Sequence, residues 1–178
     1  MRAGSGVWAL LRMQWRTAWL WLLLSPALLA ALVVAIASGV KDLYGEETER
    51  TIYAATMGAS PAQITMNGRG YDLNVLGGIA AYEVGFMGQL LFPLVGVLLA
   101  VRLTRAPESN GVLDLLTSTR VHRTAVPVAA FMSLVISWAV FKLGCWAGLV
   151  MLGYPATGSA GYSLAMAGFG LAWSGVGL

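Results

Sequence analysis

Residues 19 to 40, WLWLLLSPALLAALVVAIASGV, hold no charged side chain over 22 positions. About 20 helical residues cross a hydrocarbon core of roughly 30 Å, so this run reads as a membrane-spanning helix. Arg2, Arg12 and Arg16 precede it, and Ala35-Ile36-Ala37 near its end has the form of a signal-peptidase site. A signal peptide carries an apolar stretch of only about 7 to 15 residues, so the length favours a retained anchor over a cleaved leader. Trp15, Trp19 and Trp21 stand where an interfacial aromatic belt belongs.

Working outward, the next apolar runs are Val84 to Val101, with only Gln89 and Pro93 inside it, and Ala125 to Leu152, interrupted by Lys142 alone. A fourth begins near Tyr162 and continues to Leu178. The reading is an all-α, polytopic transmembrane bundle of about four spans (19–40, 84–101, 125–152 and 162–178) forming one transmembrane domain over residues 1–178. The 36 residues after Lys142 contain no Asp, Glu, Lys or Arg, so the last helix lacks a basic terminal anchor. The chain therefore reads as the front part of a longer protein. Composition agrees: 58% of the 178 residues are apolar and 11% charged, against about 25% charge in a soluble domain. A disordered chain, with low hydrophobicity and high net charge, is excluded too. The net charge of +3 is spread along the flanks of apolar runs, which argues for topology rather than for nucleic acid as a partner.

Lysine and arginine mark the inner side of a membrane protein. Arg2, Arg12 and Arg16 precede the first run, and Arg102, Arg105, Arg120 and Arg123 lie between the second and third. Both segments are expected inside, with the N-terminus cytoplasmic and a multi-pass path through the cell membrane. The segment from about 41 to 82 is expected outside. It has three bases against Asp42, Glu46, Glu47, Glu49 and Asp72. Within it, Thr48 to Met57 reads as a short helix capped by Thr48 and followed by Gly58, and Asn67-Gly68-Arg69-Gly70 reads as a turn. In the inner loop, Pro107 and Glu108 open a second short helix whose apolar stripe is Val112, Leu113, Leu115 and Leu116.

The chain has no phosphate loop, H-E-x-x-H, C-x-x-C or G-x-S-x-G. It is expected not to be an enzyme and to carry no cofactor or metal. His122 reads as a solvated loop residue and Cys145 as one apolar residue among others. Gly144 and Gly148 form a G-x-x-x-G that would let another helix approach closely. Glu83 heads the second run and Lys142 lies within the third, each 19 residues from an inner-surface arginine, Arg102 or Arg123. Both thus stand about 28 Å from that surface. They form a candidate charge pair, or each snorkels separately to the outer headgroups.

Three stretches resemble one family. Leu76-Gly77-Gly78-Ile79-Ala80-Ala81-Tyr82-Glu83-Val84-Gly85-Phe86 is similar to the start of the second helix in the membrane-spanning permease of ATP-binding cassette exporters, in the actinobacterial type described as exporters of polyketide antibiotics. Val101 to Glu108 is similar to the end of that helix, and Gly111-Val112-Leu113-Asp114-Leu115-Leu116 to the family's short inner helix. The sequence departs from the pattern at Val112, where a basic residue is common, and at Arg120, where proline is common. The resemblance implies that Glu108, Gly111, Leu113, Asp114, Leu115 and Leu116 belong to a coupling helix seated in a separate, dimeric ATPase. ATP and Mg would be held by that partner and not by this chain. It also implies export of a hydrophobic or amphipathic antibiotic, drug or lipid. Membrane lipid and the remainder of the permease, or a second permease half, are the other expected partners. The alternative from a different class is a non-transporting anchor or assembly subunit that tethers a cytosolic partner through the same loop.

Overall fold

The computed structural model describes residues 4–109 and 125–178, which form six helices. These are α1 (Gly4–Leu43), α2 (Glu47–Ala59), α3 (Pro61–Asn67), α4 (Leu76–Ser109), α5 (Ala125–Met151) and α6 (Ala156–Val176). Three of them, α1, α4 and α5, are long and apolar enough to cross a membrane, and the chain is a helical membrane bundle. The fourth expected span does form a helix, α6, but it is not among those three. Its 21 residues include five glycines, five alanines and three serines, small residues that hold its hydropathy below that of the three spans.

The helices overrun the apolar runs that signalled them. α1 extends through Arg16 and Arg12 to Gly4, so its 40 residues measure about 60 Å, twice the hydrocarbon thickness. α4 does not stop near Val101. It continues through Pro107 and Glu108 to Ser109, so Pro107 lies in the last turn of a long helix instead of opening a new one. Between Leu43 and Leu76, α2 starts one residue before Thr48 and ends after Gly58. Its cap is Glu46, whose backbone N–H donates to Glu49 Oε2 at 3.2 Å. The turn expected at Asn67-Gly68-Arg69-Gly70 is instead the end of α3, with Gly68 as its C-cap at φ 78°, and the chain turns later, at 73–74.

The four long helices form a ring in the order α1, α5, α6, α4, with α4 and α5 nearly opposite each other. α1 and α5 run parallel and touch along the whole of the shorter α5, from Leu10 and Leu11 beside Ala125 and Ala129 to Lys41 beside Leu152. α5 turns its buried face, Ser133, Leu134, Ser137, Trp138, Phe141, Cys145 and Leu149, inward at helical spacing. Lipid tails are as apolar as leucine, so such a bundle is held by close packing and internal hydrogen bonds rather than by escape from water. Close packing comes from glycine. A Cβ on Gly148 would lie 2.4 Å from Val34 Cγ2, and one on Gly170 would lie 2.2 Å from the Trp138 ring. Trp138 stands between Phe92 and Phe141 at ring-centroid distances of 5.8 Å each, and its indole N–H donates to Ser174 Oγ at 3.0 Å.

Pro26 sits within α1 and is fully buried. It has no N–H to give the carbonyl four residues earlier, that of Leu22. Ser137 on α5 supplies the missing donor, its hydroxyl lying 2.7 Å from Leu22 O. Nearby, Ser133 donates to the buried Gln14 at 3.0 Å. The outward faces carry rows such as Leu20, Leu24, Leu28 and Leu32 on α1 and Leu90, Leu94 and Leu98 on α4, all exposed. An exposed apolar belt of this extent is what lipid requires.

Candidate functional site

The bundle has two unlike ends. At the basic end lie Arg12, Arg16, Arg102 and Arg105, with the Arg102 guanidinium 4.7 Å from the centre of the Trp21 ring. At the other end, α2 and α3 fold back over the helix tips.

Several bonds seat α2. Tyr53, 3% exposed, packs edge-on against Tyr44 with ring centroids 4.8 Å apart, and its hydroxyl donates to Glu83 Oε1 on α4. Burial, followed by that bond and the Glu83 charge, raises the Tyr53 pKa far above its ordinary value of 10.0, so the phenol stays a donor. Arg50 bonds three backbone carbonyls. Its Nη1 donates to Tyr44 O at 3.1 Å and to Gly45 O at 2.6 Å, and its Nε to Asn74 O at 3.2 Å. The guanidinium thereby ties the end of α1 to the start of α4. Beyond Asn74 the chain enters α4 under its own backbone. A Cβ on Gly78 would lie 2.0 Å from Asp72 O, so only glycine permits that crossing.

Beside α2, with Arg50 on its wall, the helix ends line a partly open cavity of about 630 Å³. Val33, Ala80, Val84 and Leu149 line its depth, and Lys41, Arg50 and Tyr162 bring polar groups to it. Lys41 closes the α1–α5 side by donating to Leu152 O at 2.6 Å, and Tyr154 donates to Ala37 O at 2.8 Å. The Tyr162 hydroxyl is buried with no hydrogen-bond partner among the described residues. Pockets of roughly 300 to 1,000 Å³ with apolar walls and a few polar groups are the size that takes a drug-sized ligand.

The residues singled out from sequence fall in three places. Gly111, Leu113, Asp114, Leu115, Leu116 and His122 lie outside the described residues, and Glu108 is on the backbone of the last turn of α4. Gly144 and Gly148 face α1, with 3.4 Å from a Gly144 Cβ to Ala30 Cβ. Glu83 and Lys142 are not brought together. The Glu83 carboxylate takes the Tyr53 hydroxyl instead, and α4 and α5 are the diagonal pair of the ring. The equal heights read from sequence carry no information about that ring order. Cys145 is fully buried, and among the described residues no three His, Cys, Asp or Glu side chains cluster to hold a metal. The Arg50 and Tyr53 bonds and the cavity itself had no sequence signal beyond Arg50 and Tyr53 lying on one short helix.

No family model matches the chain. Over 158 residues, 88% of its length, it is 32% identical to a protein of Mycobacterium tuberculosis named multidrug efflux system permease protein. The chain spans 28% of the length of that curated relative.

Proposed function

We propose that this chain forms part of the membrane-spanning permease of an ATP-driven exporter that moves a hydrophobic or amphipathic compound out of the cell, with hydrolysis performed by a separate ATPase. The observation that carries the reading is the 32% identity to a multidrug efflux system permease across nearly the whole chain. The absence of any phosphate loop fits a subunit that borrows its energy from a partner.

Orientation follows from charge. Arg12, Arg16, Arg102 and Arg105 at one end make that end cytoplasmic by the positive-inside rule. The cavity and α2 beside it then face outward, as a release vestibule would. In this mechanism the partner's ATP-driven closure acts on residues 107–116, and α4, which ends at Ser109, carries the displacement to α2. Movement of α4 relative to α1 loads the bonds of α2, because α2 grips both.

A Leu116→Asp change tests the coupling step. Everted vesicles holding the permease and its ATPase should lose ATP-dependent uptake of a fluorescent amphipathic dye, while membrane insertion stays at its normal level. Unaltered uptake, with unaltered stimulation of ATP hydrolysis by the dye, would overturn the coupling role.

A further inference from the structure

The cavity beside α2 has an unbalanced charge. Among the described residues, Lys41 and Arg50 both line it and no Asp or Glu does. Asp42, Glu46, Glu47, Glu49 and Asp72 are close in sequence, yet the hydrogen bonds of both cations go to backbone carbonyls rather than to these acids. An ammonium has three N–H donors and a guanidinium five. Lys41 uses one and Arg50 three, so two donors remain on each, on groups already held in place by the bonds they make. Below them the wall is apolar, formed by Val33, Ala80, Val84 and Leu149. Fixed cationic donors above an apolar slot form a site with two chemically distinct ends.

We propose that this cavity binds an anionic amphiphile, its acid head between Lys41 and Arg50 and its apolar body along Val33, Ala80, Val84 and Leu149. The head is a carboxylate, sulfonate or phosphate, since oriented N–H donors on cations select oxyanions. The proposal deepens the exporter reading by naming a ligand class, and rests on that reading only for the direction of movement. Two sources supply such a molecule: a soluble amphiphilic acid or an anionic membrane lipid.

Two glycines allow the site to be blocked without disturbing its cations. Gly77 and Gly158 both line the cavity, and a Cβ on either meets nothing within 4 Å. Leucine at these helical positions fills the space and suits a helix better than glycine.

The test is binding of a dansyl-labelled eleven-carbon fatty acid to the protein in phosphatidylcholine nanodiscs, compared with its methyl ester. The acid should bind saturably and at least roughly tenfold more tightly than the ester, the ratio expected of one charge-assisted hydrogen bond. Gly77→Leu with Gly158→Leu should remove saturable binding while leaving thermal stability unchanged or raised. Lys41→Gln should bring acid and ester to similar affinity, and Lys41→Arg should restore the preference. Replacing part of the phosphatidylcholine by phosphatidylglycerol separates the sources: displacement of the acid assigns the site to lipid headgroups, and undiminished binding assigns it to a soluble acid. Equal affinity of acid and ester for the unaltered protein would overturn the proposal, as would full acid binding in the filled variant. Either failure leaves ATP-dependent export measurable by itself, so the exporter reading stands or falls separately.

Discussion

Removing the Ser137 hydroxyl tests whether polar bonds hold this bundle at the break that Pro26 makes in α1. In Ser137→Ala the Leu22 carbonyl loses its donor at 2.7 Å, and Pro26 offers no N–H in exchange. Leu22 and Ser137 are each 0% exposed, so water does not replace the bond without opening the α1–α5 contact. Hydrogen bonds between membrane helices average about 0.6 kcal/mol and reach about 1.7, the lower values arising where the freed group finds another partner. A buried carbonyl left unpaired costs about 1–3 kcal/mol. The expected loss is therefore about 1.5 kcal/mol, a shift of roughly tenfold in the folding equilibrium.

Cys145 provides the assay. It is the chain's single cysteine and is fully buried, so a maleimide fluorophore reports unfolding directly during titration with sodium dodecyl sulfate. The decisive measurement is a double-mutant cycle with Pro26→Ala, which returns an N–H to Leu22 O from within α1. In that background Ser137→Ala should cost much less, leaving a coupling of about 1 kcal/mol. Additive losses, or an unmoved Ser137→Ala midpoint, would refute the reasoning.

Three other outcomes are expected. Tyr53→Phe should speed amide exchange in α2 while sparing α4 and α5, because it removes the bond to Glu83; in the unaltered protein the docking of α2 should hold below pH about 10 and weaken as pH rises above it, since the docked phenol keeps its proton beyond the ordinary value of 10.0, and Tyr53→Phe should abolish that alkaline weakening. A cysteine at Ser60 should react with an impermeant maleimide applied outside intact cells, and one at Ser109 should not, whereas the opposite pattern would invert the assigned orientation. Glu83→Gln and Lys142→Gln should have independent effects on stability, and rescue by exchanging the two charges would show that the two side chains do pair, against the placement of Glu83 on Tyr53.

The spans were legible because charge is costly in lipid: a run as long as residues 19–40 without one ionisable group admits few other folds. Their ends were less legible. Helical hydrogen bonding continues into water, so α1 passes through Arg16 and α4 passes beyond Arg102, while apolarity stops near the headgroups. Long-range pairing was hidden. The Leu22 carbonyl could be recognised from Pro26 alone as lacking its donor, but nothing local indicates that the donor is Ser137, 115 residues away. Glu83 and Lys142 both read from sequence as costly groups at membrane depth that pair or snorkel, and height is the only coordinate the sequence offers for matching them. The partner of Glu83 instead came from α2, which only the folded loop brings across. The cavity was least legible, because it is defined by side chains that are missing, at Gly77 and Gly158, as much as by those present.

The same bonds divide the ring unequally. α1 is fastened to α5 at several heights, by Ser133 on Gln14, Ser137 on Leu22 O, Gly148 under Val34 and Lys41 on Leu152 O. α5 is fastened to α6 by Trp138 lying over Gly170 and bonded to Ser174. Gly96 brings α4 against α6 just as closely, with 2.7 Å from its Cβ position to Gly170 O. Between α1 and α4 the direct packing is less extensive than between α1 and α5, and Arg102 stacks on Trp21 at the basic end, while at the other end α2 links the two by holding Tyr44 O and Gly45 O on one side and Asn74 O and Glu83 on the other. Interdigitated glycine contacts resist sliding, because any displacement drives backbone into side chain, whereas a bridge of hydrogen bonds at an aqueous edge opens at the cost of bonds that water replaces. The α1–α4 side is therefore where this bundle can part with least loss, and Arg50 of that bridge also lines the cavity.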